Sequence, residues 1–269
     1  MPAPLRTIQT PAGTAIIFAE KDRDSAARVA ADMIRSAVDA AGARRGKAVL
    51  GLATGSTPIP VYAELVKRHR EGDLRFNGVV SYNLDEYYPI NPRDPNSYCT
   101  FMYRHLFSHI EIAPNQTHVL DGTVPEAAAA EHCAQFERWI VSDGGLDLQL
   151  LGLGRNGHIG FNEPSTLSVE QALALRTRVI ALHPTTTADA ARDFGGDAAL
   201  VPRRALTLGI ATILEAREIL VLALGAAKSE AVARSLGGPV TAEVPGSLLQ
   251  TAAHKVTWIL DEAAASGVR

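Results

Sequence analysis

Four apolar runs of strand length, each ending in small or polar residues, constrain the fold of this chain most. KAVLGL (Lys47–Leu52) runs into ATGSTP, GVVSYNL (Gly78–Leu84) into DEYY, DLQLLGL (Asp147–Leu153) into GRNGHIGFNEP, and EILVLAL (Glu218–Leu224) into GAAK. Near-continuous apolar strands are those buried on both faces of a parallel sheet. TAIIFA (Thr14–Ala19) and KVTWIL (Lys255–Leu260) extend the series, THVL is a short strand candidate, and RTRVIAL (Arg176–Leu182) another. Helix-length segments lie between them. One follows a cap at Asp22 or Asp24, passes Ile34 and Val38 and is expected to stop near Gly42. Others open at Pro58, span Ser97–His109 with Asn96 as candidate cap, span Pro125–Val141 up to Gly144 and Gly145, and span Lys228–Leu236. ALTLGIATILEA suits a strand, a helix, or one followed by the other. The alternation predicts an α/β fold: a three-layer αβα, Rossmann-like arrangement with a mostly parallel sheet and helices on both faces.

Composition narrows the function classes. The chain has 269 residues and is 46% apolar, enough for a substantial core. No repeat, low-complexity tract or long linker marks a boundary, so residues 1–269 read as a single domain. With 26 basic and 29 acidic side chains the net charge is −3, which offers no bulk attraction to nucleic acid or to an anionic membrane. MPAPLRTIQTPAGTAIIF is not expected to be a signal peptide, and no run reaches the ~18 apolar residues of a membrane span. Cys99 and Cys133 belong to no C-x-x-C. They read as reduced thiols of a cytoplasmic protein, the alternative being a single disulfide in an exported one.

In an open parallel sheet, ligands bind beyond the carboxyl ends of the strands, where the four polar segments fall. Thr54-Gly55-Ser56-Thr57 is either an anion cradle, with backbone N–H groups and a helix N-terminus, or an ordinary capped turn. The Walker spacing is absent. Lys228 is either the countercharge or a solvated helix lysine. Asp85 and Glu86 stand where a carboxylate can take a proton from carbon beside a carbonyl; a pair like this also serves as a helix or turn cap. Gly152, Gly154 and Gly157 match G-x-G-x-x-G, but the following Phe-Asn-Glu-Pro is poor for a helix, and Thr177 stands where a dinucleotide site needs an acid. The segment reads instead as an acid/base loop. His158 can give and accept a proton near neutral pH, with Glu163 to orient it and Asn156 to hold its other side. Otherwise His158 is a loop histidine satisfying backbone groups. No H-x-x-x-H or similar spacing supports zinc.

GLATGSTP, NLDEYY followed by NSYCTFMYRHLF, LLGLGRNGHIGFNEP and LALGAAK, in this order, resemble glucosamine-6-phosphate deaminases, and the likeness runs from about Gly51 to Glu262. The 6-phosphogluconolactonases share the fold and the glycine turn and are the alternative; that family lacks Asn-Glu-Pro. A sugar-phosphate sensor is a third reading, but there is no basic patch for a nucleic-acid module. The resemblance implies an amino sugar phosphate as substrate, opened, isomerised and stripped of ammonia to give fructose 6-phosphate. His158, with Glu163 and Asn156, would assist ring opening. Asp85 would move the proton from C2 to C1. Gly55–Thr57, Lys228 and Arg192 would hold the phosphate, and no metal or organic cofactor is implied. Two positions depart from the family pattern. Some members have aspartate at Asn156, which bears on the pH profile. The allosteric hexameric members carry a lysine at the place of Ile180, two residues after Arg178, and extend well past the counterpart of Asp261–Glu262. We therefore expect a non-allosteric monomer or small homo-oligomer.

Overall fold

The computed structural model describes residues 5–268. In chain order the elements are β1 (Leu5–Thr10), β2 (Gly13–Glu20), α1 (Arg23–Arg45), β3 (Ala48–Leu52), α2 (Ile59–Arg70), β4 (Val79–Asn83), β5 (Asp85–Tyr88), α3 (Tyr98–His105), β6 (Thr117–His118), α4 (Glu126–Ser142), β7 (Leu148–Gly152), α5 (Val169–Leu173), β8 (Arg178–Ala181), α6 (Pro184–Ala190), β9 (Arg204–Thr207), α7 (Ile210–Glu215), β10 (Glu218–Ala223), α8 (Ser229–Gly237), β11 (Val256–Asp261) and α9 (Glu262–Ala265). The main sheet has the order β1-β2-β11-β10-β7-β3-β4-β6. Its pairings are parallel except for the β1–β2 hairpin at one edge.

The two-residue period of the strands divides the core between the two faces of this sheet. Ile219, Val221 and Ala223 of β10 point to one face with Val49, Leu151, Trp258 and Leu260, where α4, α7 and α8 supply Phe136, Ile213 and Val232. Leu220 and Leu222 point to the other with Leu50, Leu52, Leu148 and Leu150, where α1 and α2 supply Ile34, Val61 and Leu65. Each large aliphatic side chain buried this way contributes about 1.5–3 kcal/mol. The outcome is the expected α/β arrangement, a mostly parallel sheet between helical layers.

Several local expectations change. Helix α1 takes Asp22, not Asp24, as its cap: the Ser25 amide donates to the Asp22 carboxylate at 2.8 Å, and Ser25 Oγ accepts from the Asp22 amide. It runs through Gly42 and ends only at Gly46, whose φ of 75° is the left-handed conformation that glycine adopts freely. One helical glycine costs about 1 kcal/mol, and the buried stripe from Ala26 to Ala41 outweighs it. Ser97, not Asn96, caps α3, and the α-helix stops at His105, giving way to a 3₁₀ turn over Phe107–His109. ALTLGIATILEA is a strand followed by a helix, with Gly209 between β9 and α7.

The largest departure is a second sheet. β5, β9 and β8 form an antiparallel three-stranded sheet, so DEYY is a strand rather than a loop, and RTRVIAL pairs here and not in the main sheet. Leu84 joins the two sheets. Its amide donates to Leu52 O at 2.9 Å, and its carbonyl accepts from the Leu208 amide at 2.8 Å.

Candidate active site

Strands β10, β7, β3 and β4 lie side by side, so the segments after them meet at one edge of the sheet. The order reverses between β3 and β7, since the chain runs from β3 to β4 on one side and reaches β7 on the other; such a switch point opens a crevice. A cavity of about 370 Å³ sits there, lined by residues of all four segments and of α6.

Asp85 and Glu86, adjacent in sequence, take opposite roles because a strand sends neighbouring side chains to opposite faces. The Glu86 carboxylate turns away and accepts from Ser97 Oγ (2.6 Å) and from the amides of Tyr87, Tyr98 and Cys99. It is a cap for the start of α3. The Asp85 carboxylate faces the cavity with 6% of the residue exposed. No hydrogen bond from the described residues stabilises its charge. Burial, then the neighbouring Glu86 charge, holds its carboxyl well above the usual range. That makes it a stronger proton acceptor than an exposed aspartate.

The loop after β7 folds back on itself: the Gly154 amide donates to His158 O at 2.8 Å, and the Gly157 amide to Gly154 O at 3.0 Å. The imidazole then lies against Gly154, where a Cβ would come within 2.3 Å of the ring. No helix opens behind Gly157; the next is α5, from Val169. The glycines therefore serve the histidine and not a dinucleotide. His158 lines the cavity, whereas Asn156 and Glu163 stand behind it. A carboxylate only accepts, so the Asn156 amide nitrogen faces Glu163 Oε2 at 3.1 Å. Its oxygen then faces His158 Nδ1 at 2.7 Å and also accepts from the His158 amide. Nδ1 is thus the protonated nitrogen of the neutral ring, which leaves Nε2 as proton acceptor. Glu163 Oε2 is also 3.4 Å from Nδ1. Burial works against the Glu163 charge, but His158, Thr186 and Asn156 outweigh it and hold the carboxyl below its usual range.

Strand β9 ties these two groups together. Asp85 pairs with Thr207. Thr207 Oγ1 accepts from the Phe161 amide at 3.1 Å, and the buried Asn162 donates to Leu208 O (2.8 Å) and Ile159 O (2.9 Å). The carboxylate segment and the histidine loop therefore hang on the same two residues of a third segment.

Thr54, Gly55, Ser56 and Thr57 line the cavity next to the start of α2, whose N-terminus has no side-chain cap. With proline at 58 and 60, Ile59 and Val61 supply its first amides, and no side chain caps them. Lys228 reaches the same cavity with no carboxylate within ion-pair distance among the described residues. Burial holds its ammonium below the usual range. Arg192 also lines the cavity and pairs with Asp193 at 3.2 Å. Arg155, Thr186 and Asp189 also line the cavity. Thr186 Oγ1 lies 3.4 Å from His158 Nδ1, and Arg155 forks onto Asp189. Segment 183–193 carries no motif of its own, so only its position over the cavity marks Thr186 and Asp189, whereas Arg155 stands inside the GRNGHIGFNEP segment. Among the described residues no group of three or more His, Cys, Asp or Glu gathers as a metal site would require. Cys99 and Cys133 are both free.

The sequence profile described as glucosamine-6-phosphate isomerases/6-phosphogluconolactonase matches residues 21–258. The chain belongs to this family. It is 45% identical over 223 residues to glucosamine-6-phosphate deaminase 2 of Bacillus subtilis, covering 82% of this chain and 86% of that one. It superposes on a solved monomeric glucosamine-6-phosphate deaminase with a TM-score of 0.85 at 36% identity, covering 93% and 99% of the two chains. The 6-phosphogluconolactonase of Trypanosoma brucei aligns with a TM-score of 0.77 at 20% identity, covering 98% of this chain and 100% of that one. At that identity the likeness is one of fold.

Proposed function

We propose that this chain converts glucosamine 6-phosphate to fructose 6-phosphate and ammonia. One observation carries the reading. A buried carboxylate without hydrogen-bond partners and an imidazole backed by Asn156 and Glu163 share a cavity with an uncapped helix N-terminus and Lys228. That is an acid/base pair beside an anion site. The lactonase alternative leaves Asp85 without a carbon proton to remove.

In the proposed sequence the phosphate rests on the amides of Gly55–Thr57, with Lys228 and Arg192 as cations. His158 Nε2 takes the proton of the C1 hydroxyl, and the ring oxygen is protonated as its bond to C1 opens. Asn156, held in turn by Glu163, keeps the ring oriented. Asp85 removes the C2 proton of the open aldehyde, leaving an enol-amine, and returns it to C1. The resulting C2 imine adds water and loses ammonia. Carbonyl and amine supply the acidity of that C–H bond, so the sequence needs neither metal nor organic cofactor.

We read residues 1–269 as one domain acting as a monomer or small homo-oligomer. The monomeric solved relative supports this, as does Ile180 in place of a lysine. A hyperbolic rate curve is expected. The free thiols support a cytoplasmic setting, and no helix of the described residues is long and apolar enough to cross a membrane. The test follows ammonia and fructose 6-phosphate from glucosamine 6-phosphate, with 6-phosphogluconolactone in a parallel assay. Equimolar release of ammonia and ketose supports the reading. Lactone hydrolysis without ammonia overturns it.

A further inference from the structure

The charged residues lining the cavity are three cations, Arg155, Arg192 and Lys228, and three carboxylates, Asp85, Asp189 and Asp193. The two arginines are each held by an aspartate: Arg192 by its neighbour Asp193, and Arg155 by Asp189, 34 residues further along the chain. The second pairing is the one built by the fold. Arg155 Nε donates to Asp189 Oδ2 at 2.9 Å and Nη2 donates to Oδ1, so the guanidinium engages the carboxylate with its whole fork. The two side chains are 51% and 38% exposed, which leaves both open to exchange with a solute. Lys228 feels the same two groups. Burial disfavours its charge most, Asp189 favours it, and Arg155 disfavours it. Arg155, Asp189 and Lys228 therefore form one local cluster at the ends of the adjacent strands β7 and β10, across β7 from the Thr54–Thr57 turn. A guanidinium fork that fits a carboxylate fits two phosphate oxygens equally well.

We propose that Arg155 is a further phosphate-binding residue, and that Asp189 is a stand-in anion which an incoming phosphomonoester displaces from it. This rests on the reading of the cavity as a sugar-phosphate site and adds to it. Asp189 is then an internal competitor. It keeps Arg155 aimed at the anion site, and it lowers affinity for phosphate, which favours release of a phosphorylated product. It also sets a threshold against weaker anions, since these must outcompete a carboxylate already in place.

The test measures the affinity of the full chain for inorganic phosphate by calorimetry, alongside kcat and KM for glucosamine 6-phosphate. Asp189→Asn removes the competitor and leaves Arg155 in place, so phosphate affinity should rise about two- to fivefold, the range of a half-exposed ion pair. KM should fall, while kcat stays level or drops as product leaves more slowly. Arg155→Ala should weaken phosphate binding about tenfold or more, as expected for a lost charged contact, and Arg155→Lys should fall between. In the double variant the gain from Asp189→Asn should vanish. Melting temperatures close to wild type show that the variants are folded. Unchanged or weaker phosphate binding in Asp189→Asn overturns the proposal. So does wild-type affinity in Arg155→Ala, or a gain from Asp189→Asn that persists without Arg155. Phosphate affinities that move as expected, without ammonia release from wild type, keep Arg155 as a phosphate ligand and remove the deaminase reading instead.

Discussion

Replacing Asp85 by asparagine should abolish turnover and leave the fold at least as stable as before. The rate effect follows from the geometry. Asparagine keeps the shape but cannot take a proton, and removing a positioned general base costs about 10²–10⁴ in rate, or about 3–5 kcal/mol of transition-state stabilisation. The stability effect follows from burial. Asp85 is 6% exposed, no described group hydrogen-bonds its charge, and Glu86 lies beside it. Its carboxyl is therefore raised, burial being the larger cause and Glu86 the second. A raised folded-state pKa gives stability that is fully present below the unfolded value of ~3.9 and is lost as pH rises through the folded value. Near neutral pH burying this carboxyl is thus a cost to the fold that is absent at pH ~4, and the amide removes it. Each kcal/mol recovered raises the melting temperature by about 2–4 °C in a chain of this size. The assay is ammonia release together with thermal melts at several pH values. The melting-temperature gap should be widest near neutrality and close towards pH ~4. In wild type, kcat/KM should fall on acidification at a pH above the ordinary carboxylate range. An Asp85→Asn variant that melts lower at neutral pH, or keeps more than about a tenth of the activity, refutes both the role and its physical basis.

Asn162→Ala should lower stability by about 2–4 kcal/mol in urea melts, because the Ile159 and Leu208 carbonyls and the Arg178 guanidinium all lose a buried partner. Its kcat should fall as well, since Asn162 ties the histidine loop to β9. Asn156→Asp replaces the donor to Glu163 Oε2 by a second carboxylate at about the same place. Like charge should raise the Glu163 carboxyl from its lowered position, so the pH–rate profile should gain a second acidic loss below the one set by Asp85, while the activity near neutrality survives. A profile that superposes on wild type counts against the bridging role of Asn156.

The strand-turn motifs made much of the site legible because both signals are local. A near-continuous apolar run states that both faces of a strand are buried, and a small or polar segment after it states where the sheet edge lies. Asp85, His158 and the Thr54–Thr57 turn follow from that, and so does the rejection of a dinucleotide loop, since Phe161-Asn162-Glu163-Pro164 cannot open a helix. Segment 183–193 yields nothing this way. Its Thr186 and Asp189 look like ordinary surface residues until the fold lays them over the cavity, and Arg192 is marked only by the family resemblance.

Local sequence therefore determined the central strands of the main sheet, which of their ends are polar, and which side chains have the right chemistry. It left open which of Asp85 and Glu86 faces the cavity, and tertiary packing decided that by bringing the N-terminus of α3 to Glu86 and the cavity to Asp85. Packing likewise drew β5, β8 and β9 into a second sheet, carried α1 past Gly42, and set Arg155 against Asp189. The reason is physical. A residue's preference for helix, strand or burial is set within a few neighbours, whereas its partner is set by which distant surfaces the chain must press together to exclude water.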